Sequence, residues 1–489
     1  MKDGQYMRIL ENLEPKEVFY FFEEICRIPH GSGNIDAISD YLKGFADKRG
    51  LFCIQDKVKN IIIIKDATEG YENEEPVIIQ GHMDMVAVKK PDCDIDMKKE
   101  GLRLAIDGDK IYAKGTSLGG DDGIAVAYAL ALLDAKDIPH PRLEVVITVD
   151  EEIGMDGAFA IDLSMLKGKR FLNLDSEEEG IFWASCAGGA RVYCTLPLVK
   201  ENTFGVEYRI KVKGLLGGHS GAEIHKGRAN SNVLMGRLLW ELSSACDLSL
   251  VNVQGGLADN AISRETESIV RVDAKQTKIF KKTIKQVEGR IRAEYAIKDP
   301  DIQIELALVT EHGVGPAIAG DMLKKAAALL ITMPYGVQSM SADIEGLVET
   351  SLNLGILSMD KSLELVYSVR SSLEGAKHHL IEKLKALMFM AGGNIEVSGE
   401  YPGWAYRQDS PLRDKLVRVY ERMYGKKPEV AAIHAGLECG IISSKIENLD
   451  CISLGPDMKD IHTTEETLCI SSTKRVWEFL LEVLREKDK

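Results

Sequence analysis

Nowhere in the 489 residues does an apolar run approach the ~18–20 residues needed to cross a bilayer; the longest, such as 123–133, stop well short. The first eleven residues, MKDGQYMRILE, lack the apolar stretch of a secretory signal, so no targeting or membrane segment is expected. Positive charge is also short. Lys plus Arg number 61 against 76 Asp plus Glu, a net charge of −15, the wrong sign for gripping phosphate backbones or anionic membranes. The nine cysteines form no CxxC pair and are odd in number, which reads as reduced thiols in a cytoplasmic protein and offers no thiolate metal cluster. A phosphate-cradling loop is missing too: residues 115–123, GTSLGGDDG, lack the Lys-Ser/Thr pair and end in carboxylates that repel phosphate.

What is present is ordinary globular composition, 45% hydrophobic and 28% charged, in a chain longer than the roughly 250–300 residues of a single core. Two or more domains follow. Short, nearly all-apolar runs at 77–80 (VIIQ), 143–149 (LEVVITV), 171–174 (FLNL) and 451–454 (CISL) read as strands buried on both faces. Helical patterns at 122–133 and 472–485 alternate with them, as in an open α/β sheet, which binds ligands beyond the carboxyl ends of its strands.

Each of those strands is followed by metal-ligand residue types: His82 and Asp84, then Asp150, Glu151 and Glu152, then Asp175 and Glu177, and finally His462. Asp121 closes a glycine-rich turn and opens a helix, where a capping aspartate is equally expected. Taken singly, a strand-end Asp is a turn former and Asp-Glu-Glu an acidic turn. Two imidazoles and several carboxylates delivered to one sheet edge, however, concentrate charge that calls for a cation. Imidazole with carboxylate oxygen suits Zn, Co or Mn better than Ca or Mg, and five candidate ligands suffice for two ions sharing a bridging carboxylate and water.

The sequences HMD (82–84), GGDDG (119–123), TVDEEIG (148–154), LDSE (174–177) and GGHSG (217–221) resemble those of the M20 metallopeptidase family. Within it the likeness is to aminoacyl-histidine dipeptidases (Xaa-His dipeptidase, peptidase D), through IPHGSGN (28–34), GGHSGAEIHKGRAN (217–230), HAGLECG (434–440) and HTTEE (462–466). The resemblance implies a catalytic zinc-peptidase-like α/β domain, a mixed sheet flanked by helices, at 1–186 and 400–489, with an α+β lid and dimerisation domain inserted at 187–399. It implies two Zn2+ per subunit, Co2+ or Mn2+ also fitting: Asp121 bridges, His82 and Asp175 bind one ion, Glu152 and His462 the other. Glu151 is then the general base acting on the metal-bridged water, and Asp84 orients His82, although a turn-capping Asp reads the same way. His219 would stabilise the tetrahedral oxyanion, in the partner subunit's site. Asn260, Arg370 and Gly436 would hold the substrate's terminal carboxylate, Arg370 being suited to a bidentate grip but equally able to pair with acidic neighbours.

The implied enzyme is a cytoplasmic homodimeric dipeptidase cleaving short peptides with a free C-terminus, Xaa-His dipeptides such as carnosine among them. A tripeptide aminopeptidase or an N-acyl amino acid deacylase shares the same metal core, and a non-catalytic homologue would have lost a ligand or the base. Within 187–399, strands are expected at 206–213, 250–253, 268–273, 302–308, 351–357 and 364–369, with helices at 277–295 and 321–332. His225 and His434 receive no role. His378, His379, Lys281, Lys282 and Lys285 read as solvated helix faces.

Overall fold

The computed structural model describes residues 8–488; residues 1–7 of the opening segment read above lie outside them. The chain forms two compact units. One comprises the described residues up to Ala184, Tyr406–Ala432 and those from Glu438 on; the other is Ser185–Ala405 with Ile433–Leu437. The sequence places the boundaries at 186/187 and 399/400, whereas the chain divides at 184/185 and 405/406. Residues 433–437 join the second unit because the carbonyls of Ile433 and Ala435 accept the Ala187 N–H at 3.1 and 3.0 Å.

Among the described residues, the first unit is built on an eight-stranded mixed sheet. Its order is Phe52–Gln55, Ile61–Lys65, Leu143–Thr148, Val77–His82, Arg170–Asn173, Asp450–Ser453, Ile181–Cys186 and Glu429–Ile433. The four strands recognisable from sequence are neighbours and parallel. Every residue of Val77–His82 and Leu143–Thr148 is buried, as unbroken β-branched runs require when both faces are covered. The helix Gly120–Asp134 has no polar face and is buried from Gly120 to Leu133. By contrast, Ile470–Arg485 turns one apolar stripe, including Val476, Phe479, Leu480 and Val483, into the same core and leaves its charges outside. The two expected helices are thus present: Ile470–Arg485 begins two residues early, while the regular turns of the other follow a kink at Asp121 and Asp122.

The second unit carries a nine-stranded antiparallel sheet, among the described residues. All six strands expected from sequence form, as Glu201–Lys213, Leu248–Gly255, Thr266–Val272, Gln303–Ala319, Val348–Met359 and Ser362–Ser371. Gly188–Pro197, Gly336–Met340 and Asn394–Tyr401 add three that the sequence reading misses. Helices Ser231–Ala245, Thr277–Glu294, Gly320–Thr332 and Glu374–Ala391 bury Leu238, Ile284, Leu330 and Leu384 with strand residues Ile210, Val270 and Leu365. Lys281, Lys282, Lys285, His378 and His379 are exposed, as the helical pattern predicts. No helix among the described residues is long and apolar enough to cross a membrane.

Candidate metal centre

Register brings the acidic residues together. His82 pairs with Thr148 across one side of its strand, and Gln80 with Asn173 across the other. The carboxyl ends of three adjacent parallel strands therefore emerge at one level, placing His82, the turn 150–152 and Asp175 along a single edge. His462 arrives from the loop between the short strands Met458–Lys459 and Thr467–Cys469.

Asp121 stands between two imidazoles. Its Oδ1 lies 3.1 Å from His82 Nε2 and its Oδ2 lies 3.0 Å from His462 Nε2. Asp175 Oδ1 is 3.6 Å from His82 Nε2, and Glu152 Oε1 is 2.9 Å from His462 Nε2. His82, Asp121 and Asp175 thus form one candidate metal-binding group and Asp121, Glu152 and His462 a second, while Glu151 lies in a third with His82 and Glu152. Asp121 does not serve as a cap: Gly119 occupies the cap position, and Asp121 and Asp122 have non-helical φ/ψ of −82°/105° and −119°/30°.

The donor chemistry of these groups fits divalent ions. His82 Nδ1 donates to the Asp84 carbonyl at 2.9 Å, so in the neutral ring the Nε2 lone pair faces carboxylate oxygens that also carry only lone pairs. Two ligands bound tetrahedrally to one zinc at the usual N and O distances stand about 3.4 Å apart, close to the separations here. Without cations the site must hold protons instead. Asp121 and then Glu152 raise His462 to about 10. Burial would lower His82, but Asp175, Asp121 and Asp84 raise it well above its ordinary value. Burial and neighbouring charge push Asp175 and Asp122 well up. Burial, reinforced by Glu438, Glu152 and Asp121 and opposed by His82, takes Glu151 to about 8.

A supporting layer fixes these candidate ligands. Asp122 Oδ2 accepts the His82 N–H at 3.1 Å; a Cβ on Gly81 would lie 2.4 Å from that oxygen, so only glycine fits before His82. Glu466 accepts the N–H groups of Leu118, Gly119, Gly120 and Asp121 at 2.7 to 3.4 Å, clamping the loop that delivers Asp121. Asp84 is fully buried and lies 3.5 Å from His82 Nδ1; it also accepts from Ser32 Oγ at 2.8 Å and from the Glu151 N–H at 3.1 Å. The Gly33 N–H donates to Asp150 at 2.6 Å, holding the turn at its left-handed residue. Behind this edge Glu438 is fully buried, accepts from Gln80 and Thr148, and is raised to about 7, burial being the main cause. Sequence reasoning gave Ser32, Glu438 and Glu466 no role, although each lies in a quoted motif.

The second unit collects a separate polar cluster. His219 Nδ1 accepts the N–H groups of Gly221 and Ala222 at 3.2 and 3.0 Å, which puts the ring proton on Nε2; burial and Arg370 keep the ring neutral. Arg370 is buried, has no carboxylate within ion-pair distance among the described residues, and donates from Nη1 to the Tyr401 hydroxyl at 3.2 Å. A Cβ on Gly221 would lie 2.4 Å from the His434 carbonyl, 3.1 Å from the His219 ring and 3.2 Å from Arg370 Nε, so these residues converge. His434, left without a role above, is buried with its Nε2 2.7 Å from Ser351 Oγ. Gly436 packs on the Tyr401 ring. Asn260 accepts the Ser220 N–H through its carbonyl and its side chain is exposed, as is that of His225.

Sheet, crossing helix and paired His/carboxylate groups define a family. The model of peptidase family M20/M25/M40 matches residues 78–486, and the chain belongs to that family. The chain is 36% identical over 483 residues, 98% of its length and 99% of the relative's, to the cytosol non-specific dipeptidase of Escherichia coli (strain K12). The crystal structure of aminoacylhistidine dipeptidase from Vibrio alginolyticus superposes with a TM-score of 0.94 at 35% identity, covering 98% of this chain and 99% of that one. Aminopeptidase PepT from Bacillus cereus, at 16% identity and a TM-score of 0.55 over 96% and 98% of the two chains, shares the fold.

Proposed function

We propose that this peptidase is a zinc-dependent, homodimeric cytoplasmic dipeptidase that hydrolyses short peptides with a free C-terminus, Xaa-His dipeptides such as carnosine among them. The observation that carries this reading is Asp121, whose two oxygens each face a different imidazole. His82 and Asp175 would complete one metal site and Glu152 and His462 the other, sharing Asp121. Two divalent ions held there would supply Lewis acidity for activating a water and polarising the scissile carbonyl. Glu151 takes a proton from the attacking water and returns it to the leaving nitrogen, a task that suits a carboxylate raised by burial towards neutrality. Asp84 holds the His82 ring and the Glu151 turn in register. The second unit acts as lid and dimerisation domain; the neutral His219 offers its Nε2–H to the developing oxyanion, and Arg370 and Asn260 take the substrate's terminal carboxylate.

The test is hydrolysis of a dipeptide panel, with and without C-terminal His, by metal-depleted protein given back Zn, Mn or Co. Metal-dependent release of free amino acids is expected. Cleavage only of tripeptides or of N-acyl amino acids by protein holding two ions would replace this reading with the corresponding activity. Size-exclusion chromatography with light scattering checks the dimer.

A further inference from the structure

Arg370 is a buried guanidinium with an unusual set of partners. Among the described residues its Nε has no hydrogen-bond partner, no carboxylate stands within ion-pair range, and its one side-chain partner is the phenol oxygen of Tyr401. A buried cation without a counter-ion is costly, and the missing partner is an anion. The choice of a phenol has a chemical consequence: it accepts one N–H and fixes the fork without neutralising its charge, whereas Asp or Glu in its place would compete with an incoming carboxylate.

Backbone register explains how the two side chains meet. Gly189, in the strand Gly188–Pro197, is the direct cross-strand partner of Arg370 on one side and of Tyr401 on the other. Residues directly opposite in a sheet lie side by side, so a side chain at 189 would stand between them. A Cβ there would sit 2.6 Å from the Tyr401 hydroxyl. On another edge of the ring, a Cβ at Gly436 would lie 2.8 Å from Tyr401 Cε2. The Tyr401 backbone is anchored as well, its carbonyl accepting from the buried Lys377 at 2.8 Å. Two glycines and a lysine therefore leave the ring one position, with its hydroxyl against Arg370.

We propose that Tyr401 is a positioning residue for carboxylate recognition: it holds the Arg370 guanidinium in place, and Gly189 and Gly436 are glycines because its ring occupies their side-chain space. This rests on the reading that Arg370 takes the substrate's terminal carboxylate. It also gives Gly436 a different part from the one read in the sequence, shaping the site through Tyr401 and not touching the ligand.

The experiment is calorimetric binding of two non-cleavable probes to metal-loaded protein: the reduced-amide analogue of alanyl-alanine with a free carboxylate, and its C-terminal carboxamide. Wild-type protein should prefer the acid by about tenfold or more, the scale of one hydrogen bond to a charged group. Tyr401→Phe, which keeps the ring and removes only the hydroxyl, should narrow that ratio to about threefold or less by weakening the acid while leaving the amide unchanged. Gly436→Ala, which displaces the ring, should narrow it in the same direction. A general structural defect would weaken both probes equally and would overturn the proposal, as would an unchanged ratio in Tyr401→Phe. No acid preference in wild type would remove the Arg370 reading and this inference together. A preference that is lost in Tyr401→Phe, in a protein that cleaves no dipeptide, would support the inference and end the dipeptidase reading alone.

Discussion

Asp84 and Glu151 are joined backbone to side chain: the N–H of Glu151 donates to Asp84 Oδ1 at 3.1 Å. The same carboxylate stands 3.5 Å from His82 Nδ1, so one buried group braces both a candidate metal ligand and the proposed base. Asp84→Asn keeps the shape but weakens the acceptor and is expected to cost about 10–100-fold in activity or metal affinity. Ser32→Ala, which removes the 2.8 Å bond to Asp84, should act in the same direction to a smaller extent. Chelator competition alongside dipeptide hydrolysis measures both; unchanged values in Asp84→Asn would leave that carboxylate a turn former only.

Glu151→Gln should retain two bound ions and an unaltered melting temperature while kcat falls by about 10²–10⁴-fold. Metal analysis, calorimetry and a hydrolysis assay on one preparation suffice, and near-normal turnover would require another base.

His219 presents its Nε2 proton because Nδ1 is committed to two backbone amides. His219→Ala is expected to lower kcat by about 10²–10³-fold, the usual loss for one oxyanion donor. If kcat/KM stays within a factor of about two in this variant, the proton has no part in the reaction.

Metal loading should release protons. In the metal-free fold Asp121 and Glu152 raise His462 to about 10, above its ordinary 6.5, so it is charged at neutral pH. An ion has to displace that proton, and apparent affinity therefore climbs with pH through neutrality. The same shift stabilises the metal-free protein below pH 6.5 and is lost as pH rises towards 10. Titration calorimetry in two buffers of different ionisation enthalpy counts the protons; a count of zero contradicts the arrangement.

Burial, followed by Arg370, His219 and His225, drives His434 down to about 3. Between pH 6.5 and about 3 the unfolded chain binds a proton here that the folded chain does not, so this site removes stability as pH falls through that window. The slope attributable to it is at most about 1.4 kcal/mol per pH unit. Denaturant titrations at several pH values should give a shallower acid slope for His434→Gln.

The clustering of the candidate ligands was legible because they follow strands whose unbroken apolar runs announce burial on both faces, and parallel register then aligns their ends. Asp121 was ambiguous from sequence, since an aspartate opening a helix looks like a cap; only the non-helical backbone at 121 and 122 turns its oxygens to the imidazoles. Glu438 and Glu466 were invisible as supports, because a carboxylate destined to accept buried amides reads like one facing solvent. The missed strands have physical reasons too. Gly188–Pro197 opens with two glycines, and neither Gly336–Met340 nor Asn394–Tyr401 has a fully buried residue to mark an inward face. Without them, neither the Gly189 lane nor Tyr401 emerges.

The strand Asp450–Ser453 lies inside its sheet, hydrogen-bonded to Arg170–Asn173 on one side and Ile181–Cys186 on the other, although both neighbours are made some 260 or more residues earlier. At ordinary translation speeds of roughly 5–20 residues per second, the nascent chain waits about 15–55 seconds with a slot open in the middle of its sheet. Arg170–Asn173 meanwhile offers an unpaired edge that carries Phe171 and Leu172, the kind of surface that seeds aggregation. For this chain the vulnerable interval belongs to synthesis, and a ribosome stalled before residue 450 leaves a sheet that its own missing strand alone can close.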